Sequence, residues 1–302
     1  MAKAKPILFS VLYVILYTVV QIVVGVALSF TNSGIVDSIQ GIFDVTAGGG
    51  GQDAINSAML DAYNQINAFL STNLGAIVGV ASLVSLIFFT LIYRARKKHF
   101  FSATLLDARP ETRDMWFGLS FGAGFLVVSS LVILALSQIE AFQQQINNYN
   151  QVISNPIIEG NLLMTVLGVG IIVPIVEEAM YRGMILGELA KAFPVGVAIA
   201  VQGVLFGLMH GNVVQLSFAV PLGVLLGYCV HKTQTLWVGI AAHVAMNTVS
   251  VLTASPAMED FMSSELGSLA YLSLSLMLFS AALAYFIRRK QSPEHVEKDI
   301  NE

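Results

Sequence analysis

Apolar runs long enough to cross a bilayer recur eight times along this chain, and nothing constrains its fold more. They fall at about 7–29, 73–93, 115–137, 161–181, 194–210, 214–230, 235–253 and 268–287. A helix of about 20 residues spans the ~30 Å hydrocarbon layer. Lipid offers no partners to backbone N–H and C=O groups, so each run must satisfy its own as a helix. The first run follows Lys3 and Lys5 in the manner of a secretory signal. It continues well beyond the roughly 7–15 residues of a cleavable segment, so it reads as a retained anchor. Only 11% of the residues are charged, against about a quarter in a soluble domain. That leaves essentially no soluble domain.

Lys and Arg set the expected orientation, because short cytoplasmic loops are enriched in them. On this map all fifteen basic residues fall on one side. Lys3 and Lys5 precede the first run, and a basic cluster from Arg94 to Arg113 separates the second from the third. Arg182 and Lys191 follow the fourth, Lys232 the sixth, and Arg288, Arg289, Lys290 and Lys298 the eighth. The expected fold is all-α: a polytopic, multi-pass integral membrane protein with eight transmembrane helices and both termini cytoplasmic. The host membrane is the plasma membrane if the source is prokaryotic. A formal net charge of −4 gives no electrostatic footprint for nucleic acid. The lone Cys229 excludes an intrachain disulfide and a cysteine-based metal site.

The two long outside segments, 30–72 and 138–160, contain no Lys or Arg. In the first, a Gly-rich turn (Gly48 to Gly51) precedes Ile55, Met59, Ala62, Ile66 and Phe69. In the second, Ile139, Phe142, Ile146, Tyr149 and Ile153 recur at similar spacing. Both patterns predict amphipathic helices, either resting on the outer leaflet or packed together as a cap. The expected organisation is a three-span N-terminal region over 1–160, a bundle carrying the chemistry over 161–290, and a disordered cytoplasmic tail over 291–302. No internal repeat suggests a transporter's inverted halves.

Ionisable side chains inside spans cost roughly 2.5–3.5 kcal/mol on insertion scales, so each is a functional hypothesis. They concentrate in the second half: Glu177-Glu178-Ala179-Met180-Tyr181-Arg182, then Phe206-Gly207-Leu208-Met209-His210, then His243-Val244-Ala245-Met246-Asn247. Helical residues four apart share a face, so Glu178 can pair with Arg182 while Glu177 turns away. Phe206 lies beneath His210, and His243 projects with Asn247. Three helices can thus converge on a carboxylate, two imidazoles and an amide. Structural roles compete: an ion pair that neutralises buried charge, an acid at the interface, and histidines that only bridge helices. His99, His231 and His295 lie in juxtamembrane or tail segments and receive no role. Gly118-Leu119-Ser120-Phe121-Gly122 matches a nucleophile-elbow pattern, but that geometry needs a strand-to-helix turn. Inside an apolar helix, small residues instead allow close packing. The H-E-x-x-H zinc motif is absent from the sequence.

The order E-E-x-x-x-R, F-x-x-x-H, H-x-x-x-N over Ile175 to Thr253 resembles the CPBP family, which comprises the CAAX prenyl protease (Ras-converting-enzyme) type and the Abi or bacteriocin-processing type of intramembrane protease. The resemblance implies that Glu177, His210, His243 and Asn247 form the catalytic set, with Glu178 and Arg182 in support. It implies an endopeptidase acting on a hydrophobic or lipid-anchored peptide in the bilayer. Hydrolysis without a Ser or Cys nucleophile needs an activated water and an oxyanion stabiliser. Glu177 can accept the water's proton while His210 orients it, and His243 and Asn247 can donate to the oxyanion. No tightly bound metal is the preferred expectation; if Zn2+ is bound, Glu177, His210 and His243 are its ligands. The competing expectation is a non-catalytic peptide-binding or immunity protein, or a small transporter.

The apolar boundaries put His210 near the outer face and Glu177 nearer the inner one, although catalysis needs them together. The simplest repair extends span four to about Leu189 and starts span five near Ala200. Gly183, Gly187 and Gly203 would then ease close packing.

Overall fold

The computed structural model describes residues 4–96, 108–158 and 160–290, with only the backbone for 152–158. The expected tail 291–302 lies outside the described residues. Among the described residues all regular structure is helical, and ten helices have 14 residues or more. They are α1 (Ala4–Ser29), α2 (Ser33–Ala47), α3 (Gln52–Ala95), α4 (Thr112–Ser137), α5 (Gln143–Ile158), α6 (Leu162–Ala190), α7 (Val195–Leu208), α8 (Val213–Thr233), α9 (Leu236–Thr253) and α10 (Glu265–Arg288). Seven of them, α1, α3, α4, α6, α8, α9 and α10, are long and apolar enough to cross a membrane. The chain is therefore an all-α polytopic membrane protein.

The fifth apolar run differs from the other seven. It forms α7, whose 14 residues extend only about 21 Å, short of the hydrocarbon thickness. Glycines let α7 lie flush on α8. A Cβ on Gly203 would sit 2.8 Å from the backbone N of Val224, and one on Gly207 would sit 3.0 Å from that of Val220. Gly203 thus has the close-packing role expected of it.

The second apolar run continues outward without a break. The stripe from Ile55 to Phe69 and the span beyond it form one 44-residue helix, about 66 Å long. Helix α2 folds back on α3 through the Gly48–Gly51 turn, where Gly49 takes the left-handed backbone (φ +73°) that glycine adopts without strain. Asn32 caps α2 by accepting from the Ile35 N–H (3.2 Å), and Ser38 donates to Asp61 across the hairpin (2.8 Å). Helix α5 packs on α3 and α8, burying Ile146 and setting Tyr149 edge-on to Phe218. Ile146 and Tyr149 of its stripe thus face the bundle, while Ile139, just before it, is exposed.

Every described basic residue except Arg182 lies at one end of the bundle. Arg96 meets Glu188 of α6 (2.9 Å) as a charge contact rather than an aligned hydrogen bond, and Lys191 meets the same carboxylate (3.2 Å). Arg289 clasps the buried Asp114 with two N–H groups (2.7 and 2.6 Å), tying α10 to α4. Arg182 corrects the charge map: it sits inside α6, fully buried, because span four runs on to Ala190.

Glycines also bring α4 against its neighbours. A Cβ on Gly118 would press on the Val238 carbonyl (3.0 Å), and one on Gly122 would land on the Ala242 carbonyl of α9. The Gly118–Gly122 pattern is a helix-packing surface, as its apolar setting implied, and it holds α9 in place beside His243.

Candidate active site

Helix α6 is irregular where its acids stand. Two π-helical stretches, Val166–Ile172 and Ala179–Ile185, bracket the α-helical Val173–Glu178. Pro174 brings no N–H to the helix ladder, which a wider preceding turn accommodates. Along the first stretch the carbonyls of Val169 and Gly170 accept from the Asn247 amide (3.0 Å) and the Thr248 hydroxyl (3.2 Å) of α9. This pins the α9 face carrying Asn247 to α6.

Helix lengths resolve the depth conflict. Glu177 lies about 20 Å along the axis from Ala190, and α7 climbs about 21 Å back from Val195. His210, just past the end of α7, is thereby brought level with Glu177. Only half of the expected repair holds: span four is extended as anticipated, but span five starts at Val195 and is simply short. Glu177, His210, His243 and Asn247 all line one cavity of about 240 Å³.

Beneath it lies a buried polar cluster. Glu178 and Arg182 pair at 2.6 Å, both fully buried, and Arg182 also donates to the Gly223 carbonyl of α8 (3.0 Å). The same Glu178 oxygen accepts from His243 Nδ1 at 2.9 Å. An ionised carboxylate can only accept, so Nδ1 carries hydrogen and Nε2 is left toward Glu177, whose nearer oxygen is 3.8 Å away. His210 is fixed in the same way, because its Nδ1 donates to the Phe206 carbonyl (2.9 Å). The Phe206 ring stands edge-on to Tyr181, His210 and His243, with the Arg182 guanidinium 4.7 Å from its centre. Gly239 leaves room for the second Glu178 oxygen, which a Cβ there would approach to 2.8 Å.

The structure thus brings the six singled-out residues together in two layers: four at the cavity, and Glu178 with Arg182 behind them. The proposed metal donors Glu177, His210 and His243 share the cavity. Among the described residues, however, no three His, Cys, Asp or Glu side chains are grouped to hold one ion. As they stand, they do not fit a zinc site.

Several contributors were not singled out in the sequence. Gln202 of α7 is fully buried and donates to the same Gly223 carbonyl as Arg182 (2.7 Å). Tyr17 and Gln21 of α1 line the cavity opposite α9, and both reach Ser82 of α3 (3.2 and 3.0 Å). Tyr17 also lies within electrostatic reach of Glu177. The available signal was a pair of polar side chains four residues apart within an apolar run, the spacing that puts both on one helical face.

Residues 159–249, about a third of the chain, match the model of a family described as Rce1-like: Type II CAAX prenyl endopeptidase Rce1-like. That segment contains all six site residues, and helices α1 to α5 precede it. Over 82 residues, 27% of its length, the chain is 32% identical to a Bacillus subtilis (strain 168) protein described as "Putative membrane peptidase YdiL". The match covers 34% of that relative, so the chain spans about a third of it. No solved structure matches the chain. The resemblance carried by the three motifs is borne out over this segment.

Proposed function

We propose that the protein is an intramembrane endopeptidase that hydrolyses a peptide bond in a hydrophobic or membrane-anchored peptide, using water activated by Glu177. The observation that carries this reading is the pairing of Glu177 with His243 across 3.8 Å at a cavity inside the membrane-spanning bundle, with the far side of His243 held by Glu178. With Nδ1–H engaged by Glu178, a donor role for His243 at the cavity requires hydrogen on Nε2 as well, an imidazolium flanked by Glu177 and Glu178. Glu177 then takes a proton from a water oriented by His210, and the water oxygen bonds to the substrate carbonyl carbon. The carbonyl oxygen becomes an oxyanion that receives hydrogen bonds from His243 Nε2–H and the second N–H of Asn247. Removing one such donor typically costs about 10²–10³ in rate. As the C–N bond breaks, the proton held by Glu177 passes to the leaving nitrogen. Phe218, Leu222 and Met246 give the cavity apolar walls, suited to an apolar substrate side chain.

The test is hydrolysis of a panel of hydrophobic and lipid-anchored peptides by purified protein in proteoliposomes. The wild type should generate new termini, and Glu177→Gln should fold normally yet lose nearly all cleavage, since Gln keeps the size of Glu but cannot accept the proton. Peptide bound or carried across the vesicle without cleavage would instead establish a binding protein or a transporter.

A further inference from the structure

A second cavity lies at the basic end of the bundle, well away from Glu177. It is about 430 Å³ and opens between α4 and α10, lined by Arg113, Phe117, Tyr285, Arg288 and Arg289. This volume is in the range of small-ligand sites, roughly 300–1,000 Å³. Phe117 and Tyr285 stack at 4.0 Å between ring centres, and the Arg113 guanidinium lies 4.9 Å from the Tyr285 ring. Arg289 is committed to Asp114, Glu111 and the Lys232 carbonyl. Burial works against its charge, but the hydrogen bonds and charge of Asp114 outweigh that and keep it cationic. Arg113 and Arg288 form no ion pair among the described residues, and both are exposed. Their N–H groups are available to an anion.

Two further observations fix the level of this cavity. Trp116 and Trp237, the only tryptophans in the chain, are both exposed (66% and 42%), and both stand within the first helical turns at this end of the bundle. Trp is enriched at the headgroup level of bilayers. An arginine-lined recess between membrane helices at that depth meets a phosphate with an acyl chain beside it, and basic pockets of this kind hold anionic headgroups.

We infer that the recess between α4 and α10 binds the phosphate headgroup of an anionic phospholipid through Arg113 and Arg288. The Asp114–Arg289 pair ties the two helices together at the recess. The lipid's phosphate accepts hydrogen bonds from both guanidinium groups, while its chains run down the Phe117 side of the groove. Occupancy would fasten the end of α10 to α4, the helix against which α9 and His243 are packed.

Delipidated full-length protein is titrated with phosphatidylglycerol or phosphatidylcholine and followed by native mass spectrometry. The expected result is one strongly retained phosphatidylglycerol per chain. In Arg113→Gln/Arg288→Gln, retention should fall about 30-fold, since each basic side chain near an anionic surface contributes roughly five-fold. Melting without lipid should fall only slightly, by the loss of the exposed Arg113–Tyr285 contact, because the buried Asp114 keeps its partner. Equal retention of the two lipids, or retention indifferent to the double variant, would overturn the proposal. Glycerol phosphate binding as tightly as the lipid would overturn the membrane source. Selective retention seen only after removal of residues 291–302, which include Glu294, Glu297, Asp299 and Glu302, would assign the recess to the chain's own acidic tail.

Discussion

Glu178 and His243 are joined at 2.9 Å, Oε1 to Nδ1, across the interface of α6 and α9. The bond gives the buried Glu178 a role beyond neutralising Arg182, because it fixes which imidazole nitrogen faces Glu177. A histidine whose far nitrogen is held by a carboxylate has its orientation and tautomer set before substrate arrives.

Arg182→Ala should therefore be strongly destabilising. It strands a fully buried carboxylate, and breaking one partner of a buried pair typically costs about 3–5 kcal/mol. Arg182→Ala/Glu178→Gln should recover much of the melting temperature, since the uncompensated charge is gone. Cleavage should stay low, because a neutral amide holds the His243 Nδ1–H less firmly. A double variant that regains both stability and wild-type cleavage would show that Glu178 serves Arg182 alone.

Most of this architecture is legible in the chain because lipid enforces it. An apolar run with no polar partners has little choice but to be helical, and i,i+4 spacing places Glu178 on Arg182 and His243 with Asn247. What hydropathy could not deliver was length. Apolar residues continue through α7 from Pro194 to Met209 whether or not the helix crosses, so the run reads as a span although the helix ends at Leu208. Nor does composition separate the end of a span from a buried polar cluster. Arg182 falls beyond the apolar boundary in sequence; its i,i+4 spacing from Glu178 hints at a pair, and the packing of Glu178, Gly223 and Phe206 around it explains its full burial within α6. For α1 the spacing of Tyr17 and Gln21 marks a polar face but not what it meets: Tyr17 reaches Ser82 across 65 positions of sequence, and no local period encodes that contact.

The side of the membrane can be read by labelling. The basic end carries Arg96, Lys191 and Arg289, and among the described residues the α5 end carries no Lys or Arg, so we expect the basic end to be cytoplasmic. Single cysteines at Asn148 and Glu111, both exposed, in a Cys229→Ser background should react with an impermeant maleimide from opposite faces of sealed vesicles. Reaction of both from one face would require a different threading.

Tyr17 offers a test of whether the N-terminal helices serve the same cavity. Ser82 accepts from Gln21 and bonds the Tyr17 hydroxyl; when Ser82 donates in that second bond, the phenol's own proton can turn toward the cavity it shares with Glu177. Tyr17→Phe keeps the ring and its stacking on Phe89, so folding should be intact. We expect kcat to fall about ten-fold, the loss of one hydrogen bond to a charged group in the transition state, with KM little changed. Ser82→Ala should lower kcat less, and the two together should be no worse than Tyr17→Phe alone, because residues in one network are non-additive. Strictly additive losses would separate Ser82 from the phenol.

The choice between bare and metal-bound water can be decided by loading. Both site histidines present Nε2 to the cavity with Nδ1 already engaged, to Glu178 for His243 and to a backbone carbonyl for His210, which is also how metal-ligating histidines are held. The arrangement around Glu177 nevertheless does not bring three donors to one point. Ligand bonds to zinc of about 2.0–2.2 Å would require side chains to move together. If Glu177 acts on bare water, cleavage should survive prolonged dialysis against a strong chelator, and elemental analysis of active protein should find well under one metal per chain. His210→Ala should then lower cleavage without changing metal content. Stoichiometric zinc, lost with activity on chelation, restored with it on addition, and absent from His210→Ala, would overturn the bare-water mechanism. Glu177, His210 and His243 would become ligands, and Glu178 is the one acid left beside them to serve as base.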